Sequence, residues 1–181
     1  MKSARTPDGA GGVPAGRRGV FWALTAGGAV LDLATKALAF RLLTAGGRLE
    51  VIPGLLDLWR STNTGCVFGI GKDSGWLMTL VSAVAAAVVV GYAFRAREGG
   101  AATLWGLALV LGGAVGNLWD RLLYGHVRDF LSVYVRTQSG EMRWPTFNVA
   151  DALLCVGVGL LVIASFAGGP VKSGGSAERR V

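Results

Sequence analysis

The sequence predicts an all-α membrane protein with four transmembrane helices. Of its 181 residues, 52% are hydrophobic, and the mean hydropathy is +0.50, which is high for a soluble domain of this length. The apolar residues gather into four windows, each about 20 residues long, which is the length that a helix needs to cross the hydrocarbon core. Backbone polar groups in lipid must find partners within the segment, so the windows are predicted to be helices.

The windows divide the chain into helices separated by loops of unequal length. They cover residues 20–40, 74–94, 101–119 and 149–168. Long loops follow the first and third windows, and a short turn joins the second to the third. We therefore expect one four-helix membrane domain over 20–168, a disordered tail over 1–19 that is rich in Gly, Pro and Arg, and a C-terminal tail over 169–181.

The first window is expected to remain as a helix rather than to be removed as a signal peptide. Its Ala37-Leu38-Ala39 stretch is similar to the cleavage site of a signal peptide, and basic residues precede it. However, Asp32 and Lys36 lie inside the window, where the apolar region of a signal peptide carries no charge. They are spaced i, i+4 and can neutralise each other within the helix.

The charge distribution indicates how the chain is oriented. The net charge is +7, but we find neither a basic face nor a nucleic-acid-binding motif, so no nucleic-acid partner is expected. The basic residues instead concentrate near both termini and in the short 95–100 loop: Arg17, Arg18, Arg95, Arg97, Lys172, Arg179 and Arg180. The positive-inside rule therefore predicts that both termini are cytoplasmic and that both long loops lie on the outer face.

The cysteines and the histidine indicate neither a disulfide framework nor a metal site. Cys155 lies in the fourth window and Cys66 in a loop, a placement that does not favour a disulfide. His126, the sole histidine, and the cysteines do not form a convincing set of metal ligands. No metal or other cofactor is expected.

The long loops contain short β-prone runs. The second loop carries FLSVYVR and EMRWPTF on either side of the turn-prone TQSG, which indicates a hairpin. If Gln138 and Ser139 form the turn, Asp129 lies opposite Asn148, and Asp151 lies one helical turn, or about 5 Å, further along. Two distant carboxylates then converge. Gln-Ser is not a favoured tight-turn pair, so this register is one of several within a residue or two.

This predicted pair of acids suits acid–base catalysis. Asn148 is a candidate N-cap of the fourth helix, which places Asp151 at N3, where free N–H groups and the helix dipole favour the ionised form. Asp129 nearby is then favoured in its protonated form, because two close carboxylates resist double ionisation. One ionised acid and one protonated acid, with a water between them, is the arrangement of aspartic proteases.

Each acid also has a purely structural interpretation. Asp151 could do no more than complement the helix dipole. Asp129 could merely cap the chain locally or pair with Arg128 or Arg143.

The third window ends in a polar face. Asn117, Asp120 and Arg121 are spaced i, i+3 and i+4, and together they are more polar than a lipid-facing helix end needs. Asp120 and Arg121 could also be a structural ion pair. Gly112 and Gly116 form a small-xxx-small pattern, which is more typical of helix packing than of chemistry.

Four blocks of the sequence resemble the lipoprotein signal peptidases, the type II signal peptidases of bacteria. The blocks are DLATK (32–36), NTGCVFG (63–69), GGAVGNLWDRLLYGHVRDF (112–130) and WPTFNVAD (144–151). The last two are long, ordered and specific together, and the resemblance extends from Asp32 to the end of the fourth helix. It implies a four-helix aspartyl endopeptidase of the bacterial cytoplasmic membrane, with a small β-cradle built from the outer-face loops.

The resemblance also implies roles for individual residues. Asp129 and Asp151 fall on the catalytic aspartates, the same pair that the hairpin geometry brings together. The family's other active-site and substrate-binding positions match Asp32, Asn63, Gly65, Asn117, Asp120, Arg121 and Asn148. Family substrates are prolipoproteins whose lipobox cysteine carries diacylglycerol, and cleavage occurs just before that cysteine. Two departures, Leu33 in place of Gln and Cys66 in place of a small residue such as Ala, bear on the polarity of the pocket.

Two other classes of protein compete with this interpretation. A small proton-coupled transporter could use the buried aspartates as a relay, but the polar residues gather at one membrane face and no inverted repeat is visible. A structural membrane-assembly protein leaves the acids unexplained. We expect a monomeric peptidase among membrane lipids, with diacylglyceryl-prolipoproteins as its partners and its site near the outer face.

Overall fold

A computed structural model describes residues 15–65, 75–95 and 100–167 of the chain. Its elements are α1 (Ala15–Leu42), β1 (Arg48–Ile52), β2 (Leu56–Asn63), α2 (Gly75–Arg95), α3 (Ala101–Tyr124), β3 (Val127–Thr137), β4 (Gly140–Arg143) and α4 (Val149–Ala167). In this part of the chain, four helices are long and apolar enough to cross a membrane. The predicted membrane class is therefore confirmed.

The first helix begins earlier than the sequence suggested. Residues 15–19 were expected to belong to a disordered tail, but α1 begins at Ala15. Arg17 and Arg18 are exposed side chains of its first turns. A helix end that leaves the hydrocarbon needs no apolar side chains, because water solvates its charges, so the apolar window underestimates its length. The remainder of the predicted N-terminal tail and the predicted C-terminal tail lie outside the described residues.

The helix α3 is the centre of the bundle. It packs against α1, α2 and α4, and its residues Leu107 and Leu111 are buried in an apolar cluster with Phe21 of α1. The backbones of α3 and α4 approach closely, because a Cβ atom on Gly106 would lie only 2.9 Å from the carbonyl oxygen of Gly157. Small residues permit such contacts between membrane helices, whose association depends on close packing.

The two long loops join in one four-stranded antiparallel sheet with the order β1-β2-β3-β4. Two strands come from the loop after α1 and two from the loop after α3. Gly54, with φ at +78°, occupies the turn between β1 and β2, where a side chain would be strained. Because β2 pairs with β3, the sheet holds both loops at the same end of the bundle, as the predicted cradle requires.

The register of the β3–β4 hairpin agrees with the prediction over four pairs, from Thr137↔Gly140 to Tyr134↔Arg143. Closer to the helices it slips by one residue, since Leu131 pairs with Phe147. Pro145 lies between these two segments of the hairpin and has no N–H group to donate to a ladder. The predicted hairpin is therefore confirmed, but the predicted backbone pairing at its helical end is wrong by one residue.

Candidate active site

The first acid is placed by the N-terminus of α4. The Oδ1 atom of Asn148 accepts a hydrogen bond from the backbone N–H of Asp151 at 3.0 Å. In return, the Oδ2 atom of Asp151 accepts one from the backbone N–H of Asn148 at 3.2 Å. This reciprocal arrangement is a capping box. Asn148 is therefore the N-cap and Asp151 is at N3, as predicted, with its carboxylate at the positive end of the helix dipole.

The second acid, Asp129, is buried on β3, where it is 1% exposed. Its Oδ1 atom accepts a hydrogen bond from Nδ2 of Asn148 at 2.7 Å. Its Oδ2 atom accepts another, from Nδ2 of Asn63 at the end of β2, at 3.2 Å. Asn148 thus contacts Asp151 through its backbone N–H and Asp129 through its side-chain amide. The two carboxylates converge as the hairpin geometry predicted, despite the slip in register.

The surroundings of Asp129 favour its protonated form. Burial is the largest cause and the carboxylate of Asp151 is the next, and they raise the pKa of Asp129 from 3.8 to about 7. The amide donors of Asn148 and Asn63 act in the opposite direction with less effect. Near neutral pH, Asp129 can therefore both hold and release a proton, which is what acid–base catalysis at that pH requires.

A third amide connects the pair to α3. Asn117 is buried, and its Nδ2 atom donates to Oδ1 of Asp151 at 2.8 Å. Its Oδ1 atom accepts from Nδ2 of Asn148 at 3.2 Å. Asn63, Asn117 and Asn148 belong to three different parts of the fold, so the position of the two acids depends on the whole arrangement of β2, α3 and α4.

The helix α1 contributes Asp32, which is fully buried. Its Oδ1 atom accepts a hydrogen bond from the backbone N–H of Ala150 at 2.8 Å, so this carboxylate satisfies another free N–H group at the start of α4. Gly116 faces Asp32 from α3, and a Cβ atom on Gly116 would overlap the Asp32 carboxylate. Gly112, one turn earlier, packs against the α1 backbone instead. Gly112 therefore serves helix packing, as predicted, whereas Gly116 leaves space for the Asp32 carboxylate.

A buried lysine lies between α1 and α3. The Nζ atom of Lys36 is 2.7 Å from Oδ2 of Asp32 and 3.3 Å from Oδ2 of Asp120, and all three side chains are fully buried. The same atom donates to Oδ1 of Asn117 at 2.9 Å. The predicted pairing of Asp32 with Lys36 is confirmed, but the lysine does more than neutralise one acid.

The alternative pairing of Asp120 with Arg121 is wrong. Nη2 of Arg128 is 2.7 Å from Oδ1 of Asp120, and the backbone N–H of Arg128 donates to Oδ2 at 3.0 Å. Successive residues of a helix point about 100° apart, so Asp120 faces β3 while Arg121 faces α2. There, Nη1 of Arg121 donates to Oγ of Ser82 at 3.2 Å.

The arginines considered as partners of Asp129 bind other acids. Arg128 serves Asp120, and Nη1 of Arg143 donates to Oδ2 of Asp57 at 2.9 Å. The first contact ties Arg128 of β3 to α3, and the second ties Arg143 of β4 to β2. Within the described residues, the hydrogen bonds to Asp129 therefore come from amides, which are neutral donors.

The remaining candidates lie around this centre. The backbone N–H of Gly65 donates to Oδ1 of Asn63 at 3.0 Å, which turns the Asn63 amide group toward Asp129. Leu33 is half-buried on α1, and Cys66 lies outside the described residues. Among the residues that the structure describes, no group of three His, Cys, Asp or Glu side chains is arranged to hold a metal ion.

Comparison with known proteins identifies the family. The model of the signal peptidase (SPase) II family matches residues 24–167, which include every candidate residue of the site. The chain belongs to the signal peptidase II family. It is therefore a peptidase, and the comparisons give no support to a transporter.

Individual members of the signal peptidase II family are similar over most of their length. The lipoprotein signal peptidase of Solibacter usitatus is 41% identical over 138 residues, which are 74% of this chain and 82% of that protein. The one of Geobacter sulfurreducens is 39% identical over 147 residues, 80% of this chain and 89% of its own. A bacterial membrane enzyme solved by the in meso method superposes with a TM-score of 0.72 and 25% identity, covering 90% of this chain and 95% of the other.

Reasoning from the sequence missed two residues of this signal peptidase II site, Lys36 and Arg128. A signal was present for the lysine, because an ammonium group inside an apolar window needs several acceptors and Asp32 supplies only one of them. For Arg128 the sequence offered two nearby acids, Asp120 and Asp129. Only the rotation of α3 about its axis decides that Asp120 is the partner.

Proposed function

We propose that this member of the signal peptidase II family is an aspartic endopeptidase with Asp129 and Asp151 as its catalytic pair. The observation that carries the proposal is the position of Asn148, which hydrogen-bonds to both carboxylates at once. The two acids are thereby held side by side, and the pKa of one of them is about 7. A pair that shares one proton is the arrangement that aspartic proteases use.

In the proposed reaction Asp151 is the base and Asp129 is the acid. The Asp151 carboxylate takes a proton from a water molecule, whose oxygen forms a bond to the scissile carbonyl carbon. Protonated Asp129 gives its proton to the carbonyl oxygen, so that a neutral gem-diol forms. When the diol collapses, the C–N bond breaks, the leaving nitrogen takes the proton from Asp151, and Asp129 recovers one from a diol hydroxyl.

The neighbouring polar residues hold this pair and contact the substrate. Asn63, Asn117 and Asn148 donate to the carboxylates and fix their separation. Asp32 holds the N-terminus of α4 by accepting from the backbone N–H of Ala150. Asp120 holds Arg128, which directly precedes Asp129 on β3. We propose that Gly65 and Arg121, which lie at the margins of the cluster, orient the substrate backbone. Leu33 and Cys66 would alter the polarity of the pocket without changing the chemistry.

We propose that the substrates are diacylglyceryl-modified prolipoproteins, cut just before the lipidated cysteine to release the signal peptide. The names of the relatives support this, as does the place of the site. The catalytic pair lies where α4 begins and the sheet ends, at one end of an apolar bundle. A lipid-anchored peptide can present its cleavage site there, and water can reach it.

The same reasoning gives a proposed orientation. Both termini face the cytoplasm, and the sheet lies at the outer face of the bacterial cytoplasmic membrane. We propose a monomer as the working unit. Membrane lipids surround the helices, and no cofactor takes part in the proposed steps.

Cleavage of a diacylated lipobox substrate in detergent, followed by gel shift, tests the proposal. Asp129→Ala and Asp151→Ala should each abolish cleavage while the protein still inserts into membranes. Glu141→Gln, which removes an exposed acid of β4, should retain full activity. A substrate whose lipobox cysteine is replaced by serine cannot be lipidated and should stay intact. Full activity in either alanine variant would refute the catalytic pair.

A further inference from the structure

Lys36 has an environment that is unusual for a membrane helix. Its side chain is fully buried, and it is held by two carboxylates, those of Asp32 and Asp120. Its remaining contact goes to a neutral group, the Oδ1 atom of Asn117, at 2.9 Å. A third acceptor from an amide is not needed to neutralise the charge. This contact connects the lysine to the residues that hold the catalytic pair.

The ammonium group determines which way the Asn117 carboxamide points. An ammonium has three donors and no acceptor, so it must face the oxygen of the carboxamide. The NH2 group then points the other way, where Nδ2 donates to Oδ1 of Asp151 at 2.8 Å. A flipped carboxamide would place NH2 against the ammonium of Lys36 and an oxygen against the carboxylate. Both contacts would be repulsive.

The orientation of Asn117 in turn constrains Asn148. The Oδ1 atom of Asn117 also accepts from Nδ2 of Asn148, at 3.2 Å. That same Nδ2 atom donates to Oδ1 of Asp129 at 2.7 Å. One fixed oxygen therefore holds a second NH2 group in the position from which it reaches the other carboxylate. The two amide groups each face one acid. Lys36 orients that of Asn117 directly, and through the Asn117 oxygen it reinforces the orientation that the capping bond gives to Asn148.

We propose that Lys36 is a positioning residue of the catalytic pair: its ammonium fixes the carboxamide of Asn117 and, through it, reinforces the orientation of Asn148, so that each presents its NH2 group to one aspartate. This inference rests on the proposed aspartic mechanism. It assigns Lys36 a role beyond the structural one, which is to join α1 to α3 through Asp32 and Asp120.

A double-mutant cycle separates the two roles. Lys36→Met is combined with Asn117→Ala, and kcat and KM are measured with the diacylated lipobox substrate. Misplaced catalytic groups reduce rates by about 10- to 100-fold, so Lys36→Met alone should lower kcat at least tenfold with KM within about twofold. In the Asn117→Ala background the same change should lower kcat less than about threefold, because the carboxamide that it orients is absent. Equal losses in both backgrounds would overturn the proposal.

Arg128→Met is the matched control for this cycle. It also removes a cation from buried Asp120, but none of the hydrogen bonds described for Arg128 goes to Asn117. Its effect should therefore be the same with and without Asn117→Ala. If Lys36→Met does not accumulate in membranes, Lys36→Gln replaces it, since its amide is both donor and acceptor and leaves the Asn117 orientation undecided. Lys36→Gln should then show the same coupling, and additive losses would overturn the proposal equally.

The pH profile provides a second readout that helix packing alone would not change. The charged groups of the site and its surroundings are Asp151 on α4, Asp32 and Lys36 on α1, Asp120 and Arg121 on α3 and Arg128 on β3. Of these, the ammonium opposes the rise in the pKa of Asp129, and so do the amide donors that it orients. Lys36→Met should therefore move the basic limb of the kcat/KM profile to higher pH. A limb that does not move would contradict the proposal.

The failure of this inference can be distinguished from the failure of the proposed function. If Asp129→Ala and Asp151→Ala are inactive but the Lys36 and Asn117 effects are additive, only the positioning role is refuted. If the alanine variants of the two acids remain active, the catalytic pair itself is refuted.

Discussion

The raised pKa of Asp129 predicts how replacing it changes stability with pH. The folded value is about 7, against 3.8 for an unperturbed aspartate, and one unit corresponds to 1.36 kcal/mol. The folded protein therefore holds a proton that the unfolded chain has released, and its stability falls as pH rises from about 4 to about 7. The loss approaches about 4 kcal/mol for this group and is complete above pH 7. Asn cannot ionise, so Asp129→Asn lacks this loss.

Unfolding of purified wild type and Asp129→Asn in detergent, at pH 4.5 and pH 8, measures the effect. At pH 4.5 the variant should be as stable as the wild type or slightly less stable, because the NH2 group of Asn replaces a carboxyl oxygen that accepts a hydrogen bond. At pH 8 it should be the more stable protein although it is inactive. Glu141→Gln provides a control of opposite sign, since a hydrogen bond from Arg143 lowers the pKa of Glu141. It should be less stable than wild type at pH 8 and equal to it well below pH 4.

Two results would contradict this prediction for Asp129. A stability difference between wild type and Asp129→Asn that is independent of pH would mean that Asp129 titrates like an exposed acid. A wild type that is the more stable protein at pH 8 would mean that a cation compensates the carboxylate. Either result would remove the physical basis for treating Asp129 as the acid of the pair.

Two further substitutions test the packing around the site. Gly116→Ala should lower initial cleavage rates about tenfold or more and the free energy of unfolding by about 1–3 kcal/mol, because the new methyl group overlaps the Asp32 carboxylate. Arg143→Leu should lower the free energy of unfolding, because it removes the closer of two cations from Asp57, which is 1% exposed, and leaves only Arg48 at 3.4 Å.

Each of these two substitutions has a matched control at a position that is exposed or has no neighbouring atoms. Gly159→Ala adds a methyl group on α4 where nothing lies within 4 Å, and it should leave cleavage and stability unchanged or slightly improved. Arg136→Leu removes an arginine that is 60% exposed, and it should change stability by less than about 1 kcal/mol. Losses in these controls as large as those of the test variants would contradict the local explanations.

The features that were predictable from the sequence depend on residues close together in the chain. The capping box at Asn148 and Asp151 spans a single helical turn, so residue type and spacing suffice to predict it. The hairpin could be predicted because its two strands are separated only by a short turn. Its register changed where Pro145 removes a hydrogen-bond donor, an effect that the prediction had not included.

The features that escaped prediction depend on how the helices are rotated and which of them are neighbours. Apolar windows give the length of a membrane helix but not the direction in which a given side chain points. Lys36 reaches Asn117 only because α1 packs on α3. Asp120 pairs with Arg128 rather than Arg121 because of the rotation of α3 about its axis. The pairing of β2 with β3 joins strands from different loops, and no local pattern specifies it.

The acids of the site fall into two groups according to their partners, and this division bears on the raised pKa of Asp129. Lys36 and Arg128 compensate Asp32 and Asp120, so that this cluster is neutral as a whole. Within the described residues, the hydrogen bonds to the side chains of Asp129 and Asp151 come from neutral N–H donors. A cation in their place would favour ionisation of both acids and leave no proton to donate. Amides orient the two carboxylates without placing a cation against them, so burial, followed by the nearby Asp151 carboxylate, keeps the pKa of Asp129 raised.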